Sequence, residues 1–363
     1  MTSRSAPLPP AVPWVSDDAP DSDVAIVSRV QVSRNVSGHP FADFEPGTEE
    51  PGAKARGAGY REALESVDAA LRATAGDLFG EPYAVLTDRS IADSDRIRLA
   101  ERGIVDGNRA DSVFLSSDER FVAVIGGDDH LQLLCTVPGR AVTDCLRRVI
   151  AADLRLEESL HYAVSMDLGY LSSRIADVGT ALRASVVLHL PGLLSLKRIG
   201  RILGRLGRIG CEMPSMAAPR SGLFVLRNRV TFGLDEPAIV DRVDACVRRL
   251  VALERRAREE IAAAQADGIR ERAVRAQDEL QTAETLSRER TALLASDLRF
   301  ASVAGLFSGY SPALLSTLFF LGKDSHISGS RGPRRPGSGE DAKDSDEVRA
   351  SVVRELLADC HAH

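Results

Sequence analysis

Two short runs rich in β-branched and aromatic residues, Phe121 to Ile125 and His130 to Thr136, are separated only by Gly126-Gly127-Asp128-Asp129. Four residues of that composition can reverse a chain but cannot carry it over a sheet, so the two runs must pair antiparallel as a hairpin. Further strand-like segments lie at Val24 to Val32, Tyr83 to Thr87 and Leu223 to Phe232. Helical periodicity fills much of the remainder. Leu64, Val67 and Leu71 share a face within Tyr60 to Phe79, and Ala141 to Leu160 has a similar pattern.

Asp235-Glu236-Pro237 is a helix start, with acids and a proline where the first turn lacks acceptors for its N–H groups. Ile239, Val243, Cys246, Leu250 and Leu253 then form one apolar seam. The seam continues loosely into a Glu/Arg/Ala-rich stretch to Leu294, a long helix or helical pair at an edge, and offers a surface for a homodimer. Leu196 to Leu206 is a basic helix in which Arg198, Arg201 and Arg205 surround Ile199, Ile202, Leu203 and Leu206, the pattern of a solvated face.

A chain of 363 residues accommodates two domains or one large one. Five prolines among the first 20 residues read as a disordered leader over 1–23. A mostly helical N-terminal region over 24–80 and a larger domain over 81–326 follow, including a Gly/Pro/charge-rich loop at 45–59. Ser, Gly and Pro mark a linker over 327–345, and a helix closes the chain within 346–363.

The formal charge of −6 argues against a generic nucleic-acid binder, whose affinity comes from a cationic surface. No apolar window approaches the length of a membrane span and no charged segment precedes an apolar one at the start, so the expected setting is the cytoplasm, without a membrane partner. Five dispersed cysteines form no CxxC pair, and the histidines do not cluster outside the terminus, so no metal site is expected. There is no P-loop, no dinucleotide fingerprint and no nucleophile elbow.

Several segments, in order, resemble the ATP:guanido phosphotransferase family, most closely its bacterial protein-arginine kinases. Val27-Ser28-Arg29-Val30-Gln31-Val32-Ser33-Arg34-Asn35 resembles SSRIRLARN, and Asp128-Asp129-His130-Leu131 resembles the end of NEEDHLR. Leu168-Gly169-Tyr170-Leu171 is similar to LGYLTS, and Val178 to Val186 (VGTALRASV) to VGTGLRASV, continued by His189-Leu190-Pro191. Asn228 to Gly233 (NRVTFG) is similar to NQVTLG.

The resemblance implies an α+β fold, with a small helical N-terminal region and a phosphagen-kinase-type catalytic domain whose antiparallel sheet is flanked by helices, and transfer of the γ-phosphoryl of MgATP to a guanidinium on a protein substrate. Such chemistry needs a cationic clamp on the phosphates and carboxylates that orient the acceptor. The implied nucleotide-binding positions are Ser28, Arg29, Gln31, Gln132, Arg183, Ala184 and Ser185. Asp128 and Asp129 are the implied catalytic acids, and Arg174 and Asp177 the implied acceptor pocket. Asp346 and Arg349 match part of a phosphoarginine-reading RDxxRA motif, with Ser345 at its first arginine.

Departures fall on the clamp. Family arginines become Gln31 and Gln132, a family histidine becomes Gly103, the catalytic glutamate becomes Asp128 and a thiol becomes Arg174. The loop that reads VRGLYGE in relatives reads Ile209 to Ser215, with Glu212 the only carboxylate in it. Losing one preorganised charge-stabilising donor costs on the order of a hundred- to a thousand-fold in rate, so losing three approaches roughly a million-fold. Two readings follow: a protein-arginine kinase of weak or lost activity, or an inactive relative acting as a regulatory or scaffolding partner. Arg174 admits a specific version of the second, its guanidinium lying against Asp128 or Asp177 in place of a substrate's.

Overall fold

A computed structural model describes residues 12–41, 57–87, 99–100, 102–105, 110–216, 218–321 and 339–359. Ten strands form an eight-stranded antiparallel sheet and a two-stranded ribbon among these residues. The large sheet has the order β2-β3-β4-β5-β1-β8-β10-β9. Its members are β1 (Ala25–Arg34), β2 (Tyr83–Thr87), β3 (Ser112–Ser116), β4 (Phe121–Ile125), β5 (Leu131–Pro138), β8 (Leu182–His189), β9 (Cys211–Glu212) and β10 (Leu223–Asn228). The ribbon joins β6 (Val164–Ser165) to β7 (Gly169–Tyr170).

The hairpin of β4 and β5 pairs Ile125 with Leu131 across the Gly-Gly-Asp-Asp turn, where Gly126 and Gly127 take φ of +85° and +111°, backbone that glycine adopts without steric cost. β1 lies at the centre of the sheet between β5 and β8, so the segment before residue 80 contributes a middle strand as well as the helix α1 (Ala58–Phe79). β10 ends at Asn228, four residues short of the expected Phe232, because the Asn228 side chain turns back to donate to the carbonyls of Leu182 and Val230.

Strand alternation gives the sheet two different faces. Val30, Val32, Ala184, Val186 and Leu188 point into a core made with α1, α2 (Val142–Glu157) and the first half of α5 (Glu236–Thr282). Asp235 caps α5 by accepting from the Ala238 N–H at 2.8 Å. The seam of Ile239, Val243, Cys246 and Leu250 is buried in this core, which corrects its assignment as a homodimer surface: the apolar stripe faces the protein's own sheet. Gln265 interrupts α5 with φ −142°, and the second half turns away to pack with α6 (Arg288–Val303), α7 (Pro312–Leu321) and α8 (Gly339–Asp359).

Two terminal segments differ from their compositional reading. Residues 12–23 are ordered, with Trp14 edge-on to Phe320 at 4.8 Å and both Asp21 and Asp23 paired with Arg255. One buried indole and these ion pairs outweigh the polar, proline-rich composition; the first eleven residues of the expected leader lie outside the described residues. α8 begins at Gly339 rather than near 346. Residues 327–338 of the expected linker and most of the 45–59 loop lie outside the described residues.

Among the described residues the opposite face of the sheet is covered at its two ends. At one end Val113, Leu115, Val122, Val124 and Leu134 pack under Leu99, Ile104 and Val105. At the other, Val27, Val187 and Leu223 pack beneath the C-terminal helices. Between them runs a polar strip.

Candidate active site

Register fixes what that strip contains. Arg29 stands opposite Thr136 of β5 and Ser185 of β8, and Gln31 opposite Arg183. Arg227 of β10 stands opposite Ser185. Arg29, Gln31, Gln132, Arg183 and Ser185, five of the seven expected nucleotide-binding residues, therefore share one face.

Ser28 and Ala184 do not. Each is one residue out of phase, and the period of two sends its side chain to the helical core. Ser28 Oγ donates to the Gly139 carbonyl at 2.7 Å and accepts from the Ala141 N–H at 3.0 Å, which fastens the turn from β5 into α2. Ala184 is buried, its N–H held by Asn228 Oδ1 at 2.7 Å. Neither side chain lies on the strip, which corrects their assignment as nucleotide ligands.

Within the strip the cations are engaged. Arg29 donates from Nε to Thr136 Oγ1 at 3.0 Å, from Nη1 to the Gly103 carbonyl and from Nη2 to the Arg102 carbonyl, both at 2.8 Å. Removal from water pulls its pKa down to about 10, so it stays charged at neutral pH. Gly103 makes this docking possible: at φ +65°, a Cβ there would stand 2.9 Å from Arg29 Nη1. Arg102 is itself pinned by a buried ion pair with Glu119.

Arg183 meets Asp177 in a two-pronged pair, Nε to Oδ1 at 3.0 Å and Nη2 to Oδ2 at 2.6 Å. Arg174 Nε lies 3.7 Å from the same Asp177 Oδ2. Gln31 Nε2 donates to Gln132 Oε1 at 3.1 Å. Arg227, not expected from sequence, joins the strip held by Glu212 at 2.5 Å, with Arg229 3.8 Å from the other Glu212 oxygen. The period-two register with Ser185 was the only available signal for Arg227.

The two aspartates of the hairpin turn differ. Asp128 is half-buried, and its carbonyl accepts from Ser173 Oγ. Asp129 is buried and fully used: Oδ1 accepts from Asn35 Nδ2 at 2.6 Å and from the Ser173 N–H at 2.9 Å, and Oδ2 from Ser172 Oγ at 3.0 Å. It ties the turn to the end of β1 and to the 171–173 segment, which gives it a positioning role where the sequence suggested catalysis. Asn35 Oδ1 in turn accepts from the His130 N–H at 3.0 Å. His130 accepts the Val36 N–H on Nδ1 and donates from Nε2 to the Pro40 carbonyl, and burial lowers its pKa.

Asp346 and Arg349 lie apart from the strip. Arg349 is buried and donates to the Leu286 carbonyl as well as pairing with Asp346. Both residues join α8 to the start of α6, since the Leu286 N–H is also bonded to the Asp346 carbonyl at 3.0 Å.

The strip fits a nucleoside triphosphate only in part. Arg29 and Arg183 both lie on the strip, yet each already has protein acceptors, and two further positions are neutral amides. Among the described residues no cluster of His, Cys, Asp or Glu could hold a metal ion. No described helix is long and apolar enough to cross a membrane.

Residues 83–257 match the family described as ATP:guanido phosphotransferase, C-terminal catalytic domain. A protein-arginine kinase from Desulforamulus reducens is 28% identical over 98% of this chain and 98% of its own length. Another, from Pelotomaculum thermopropionicum, is 30% identical over 84% of this chain and 85% of its own. Among solved structures, a lombricine kinase superposes with a TM-score of 0.54 at 17% identity, covering 70% of this chain and 72% of that one, a likeness of fold alone. With a sheet, a motif order and near full-length relatives in agreement, the chain belongs to the ATP:guanido phosphotransferase family, alongside bacterial protein-arginine kinases.

Proposed function

We propose that this chain is a protein-arginine kinase relative in which phosphoryl transfer from MgATP to a protein arginine is weak or lost. The observation that carries the reading is the Gln31 to Gln132 hydrogen bond at 3.1 Å, two neutral side chains satisfying each other where the resemblance places clamp arginines. The remaining cations support it. Arg183 gives two of its donors to Asp177 and Arg29 gives three to the protein, so a phosphate must displace these acceptors before it is bound. The setting proposed is cytoplasmic, with a protein as substrate or partner.

A second reading, an inactive regulatory or scaffolding partner, is favoured by one contact. Arg174 brings a resident guanidinium to 3.7 Å from Asp177, in the pocket assigned to the acceptor. Asp346 and Arg349 support a packing role over phosphoarginine recognition, because the Arg349 guanidinium is buried.

The test is calorimetric titration of MgATP into the full chain and into an Arg183→Ala variant, alongside transfer of labelled phosphate to an arginine-rich protein. Affinity no tighter than about 1 mM, a binding free energy near −4 kcal/mol, is expected, with transfer at or near background. Micromolar binding abolished by Arg183→Ala, together with acid-labile label on the acceptor, would overturn both readings.

A further inference from the structure

A cavity of about 930 Å³ opens on the helical side of the sheet, between α4 (Ile199–Arg208) and α5. Its volume is that of a pocket for a small organic ligand. The walls are apolar, with Ile202, Leu206, Ile209 and Val230 among them. Ile209 and Val230 remain 44% and 39% exposed, unusual for large aliphatic side chains with a core beside them. Four arginines, Arg205, Arg208, Arg242 and Arg249, line the same cavity, and no carboxylate does.

These arginines contrast with two neighbours at the same helices. Arg198 pairs with Glu260 and Arg248 with Asp244, but Arg205, Arg208 and Arg249 make no ion pair among the described residues. Arg242 is positioned by donating to the Ile209 carbonyl at 3.2 Å, across the cavity mouth. Gly210, at φ +71°, lets this approach happen: a Cβ there would stand 3.3 Å from Arg242 Nη1 and 3.2 Å from Val230 Cγ2. The sequence reading of α4 as a merely solvated basic face accounts for Arg201 and Arg198 but not for cations grouped around an apolar hollow.

An apolar cavity lowers the local dielectric, so uncompensated guanidiniums at its rim attract an anion more strongly there than on an open surface. Their planar forks suit carboxylate or phosphate oxygens. The geometry points to a binding site for a small amphiphilic anion, an aliphatic or aromatic body seated on Ile202, Leu206 and Val230 with a carboxylate or phosphate head held by Arg205, Arg242 and Arg249. The site is separate from the polar strip: Cys211 of β9 faces α5, in contact with Cys246 on the cavity wall, whereas the next residue, Glu212, faces Arg227 on the strip.

The experiment is calorimetric titration of laurate into the full chain, with dodecyl phosphate and inorganic phosphate as parallel arms. An Arg205→Glu/Arg249→Glu variant reverses charge inside the cavity, and Arg198→Glu does so on the same helix outside it. One-to-one binding of laurate is expected, weakened at least about ten-fold by the double variant and changed less than about two-fold by Arg198→Glu. Circular dichroism melts of all three proteins establish that they are folded. Stronger binding of dodecyl phosphate than of laurate identifies the preferred head group within the same site. Binding of inorganic phosphate as tight as either amphiphile would overturn the proposal by showing a plain anion patch, as would equal losses in Arg198→Glu. Sedimentation velocity supplies the remaining arm, because a dimer dissolved by the double variant would make this cavity an interface between copies and not a ligand site.

Discussion

Gln31 and Gln132 are joined by a single hydrogen bond of 3.1 Å, from Nε2 of the first to Oε1 of the second, across the two central strands of the sheet. The pair holds the middle of the candidate phosphate strip neutral. Replacing both with arginine puts two charges on that face, where Asp177, the partner of Arg183 opposite Gln31, is the neighbouring carboxylate. MgATP affinity is expected to rise at least about ten-fold, measured by calorimetry. An unchanged affinity would place the nucleotide elsewhere.

Gly103 carries the backbone carbonyl that Arg29 uses, at φ +65° and with no room for a Cβ. Gly103→Ala is expected to cost about 1–3 kcal/mol, from the left-handed backbone and the displaced guanidinium together. A shift of the urea midpoint with unchanged slope is the readout.

Arg34 and Asp153 form a buried two-pronged pair, Nη2 to Oδ2 at 2.6 Å, and Arg34 also lies 3.6 Å from the Tyr170 ring centroid. Asp153→Ala leaves a buried guanidinium without its carboxylate, and a loss of about 3–5 kcal/mol is expected in denaturant unfolding. Replacing both residues by apolar ones of similar size is expected to recover most of it.

His189 is buried, donates from Nε2 to Ser296 Oγ at 2.9 Å and accepts from Arg299 Nη1 on Nδ1 at 2.8 Å. Burial and the adjacent Arg299 and Arg258 push its pKa well below the ordinary imidazole value. The folded state therefore keeps it neutral while the unfolded state takes a proton below about pH 6.5. Stability is fully present above that value and falls as the pH drops, by up to about 1.4 kcal/mol per unit for this residue, with His130 adding in the same direction. Unfolding free energies measured at pH 7.5 and 5.5 should show this fall, and His189→Gln should reduce it; identical pH slopes for the two proteins would refute the assignment.

Trp14 is the chain's one tryptophan and packs edge-on to Phe320 at 4.8 Å. Its emission should therefore report the docking of residues 12–23 against the C-terminal helices. Trp14→Ala is expected to destabilise by about 3–5 kcal/mol, read from thermal melts by circular dichroism. A change below about 0.5 kcal/mol would mean that the segment is held by its ion pairs alone.

Local chemistry in the sequence sufficed for much of this protein. Gly126-Gly127-Asp128-Asp129 required a hairpin, Asp235 with Pro237 required a helix start, and the order of short motifs from Val27 to Gly233 carried the family. Each depends on residues adjacent in the chain or on a period of two or 3.6, which a linear reading can follow. The seam from Ile239 to Leu250 shows where that reading ends, since periodicity identifies an apolar stripe but not whether its own sheet or another copy covers it.

Only the tertiary structure decided how the surviving site residues are used. Arg29 reaches carbonyls 73 and 74 residues away, and Asp129 reaches Asn35 across 94. Ser28 and Arg29 are neighbours in one motif, yet the pleat sends one into the core and the other to the strip. A motif names residue types, whereas the free energy of a charge depends on the acceptors and water that folding places around it. Those partners are distant in sequence for Arg29 and Asp129, so their engagement, like the grouping of arginines beside α4, became legible only once the chain was folded.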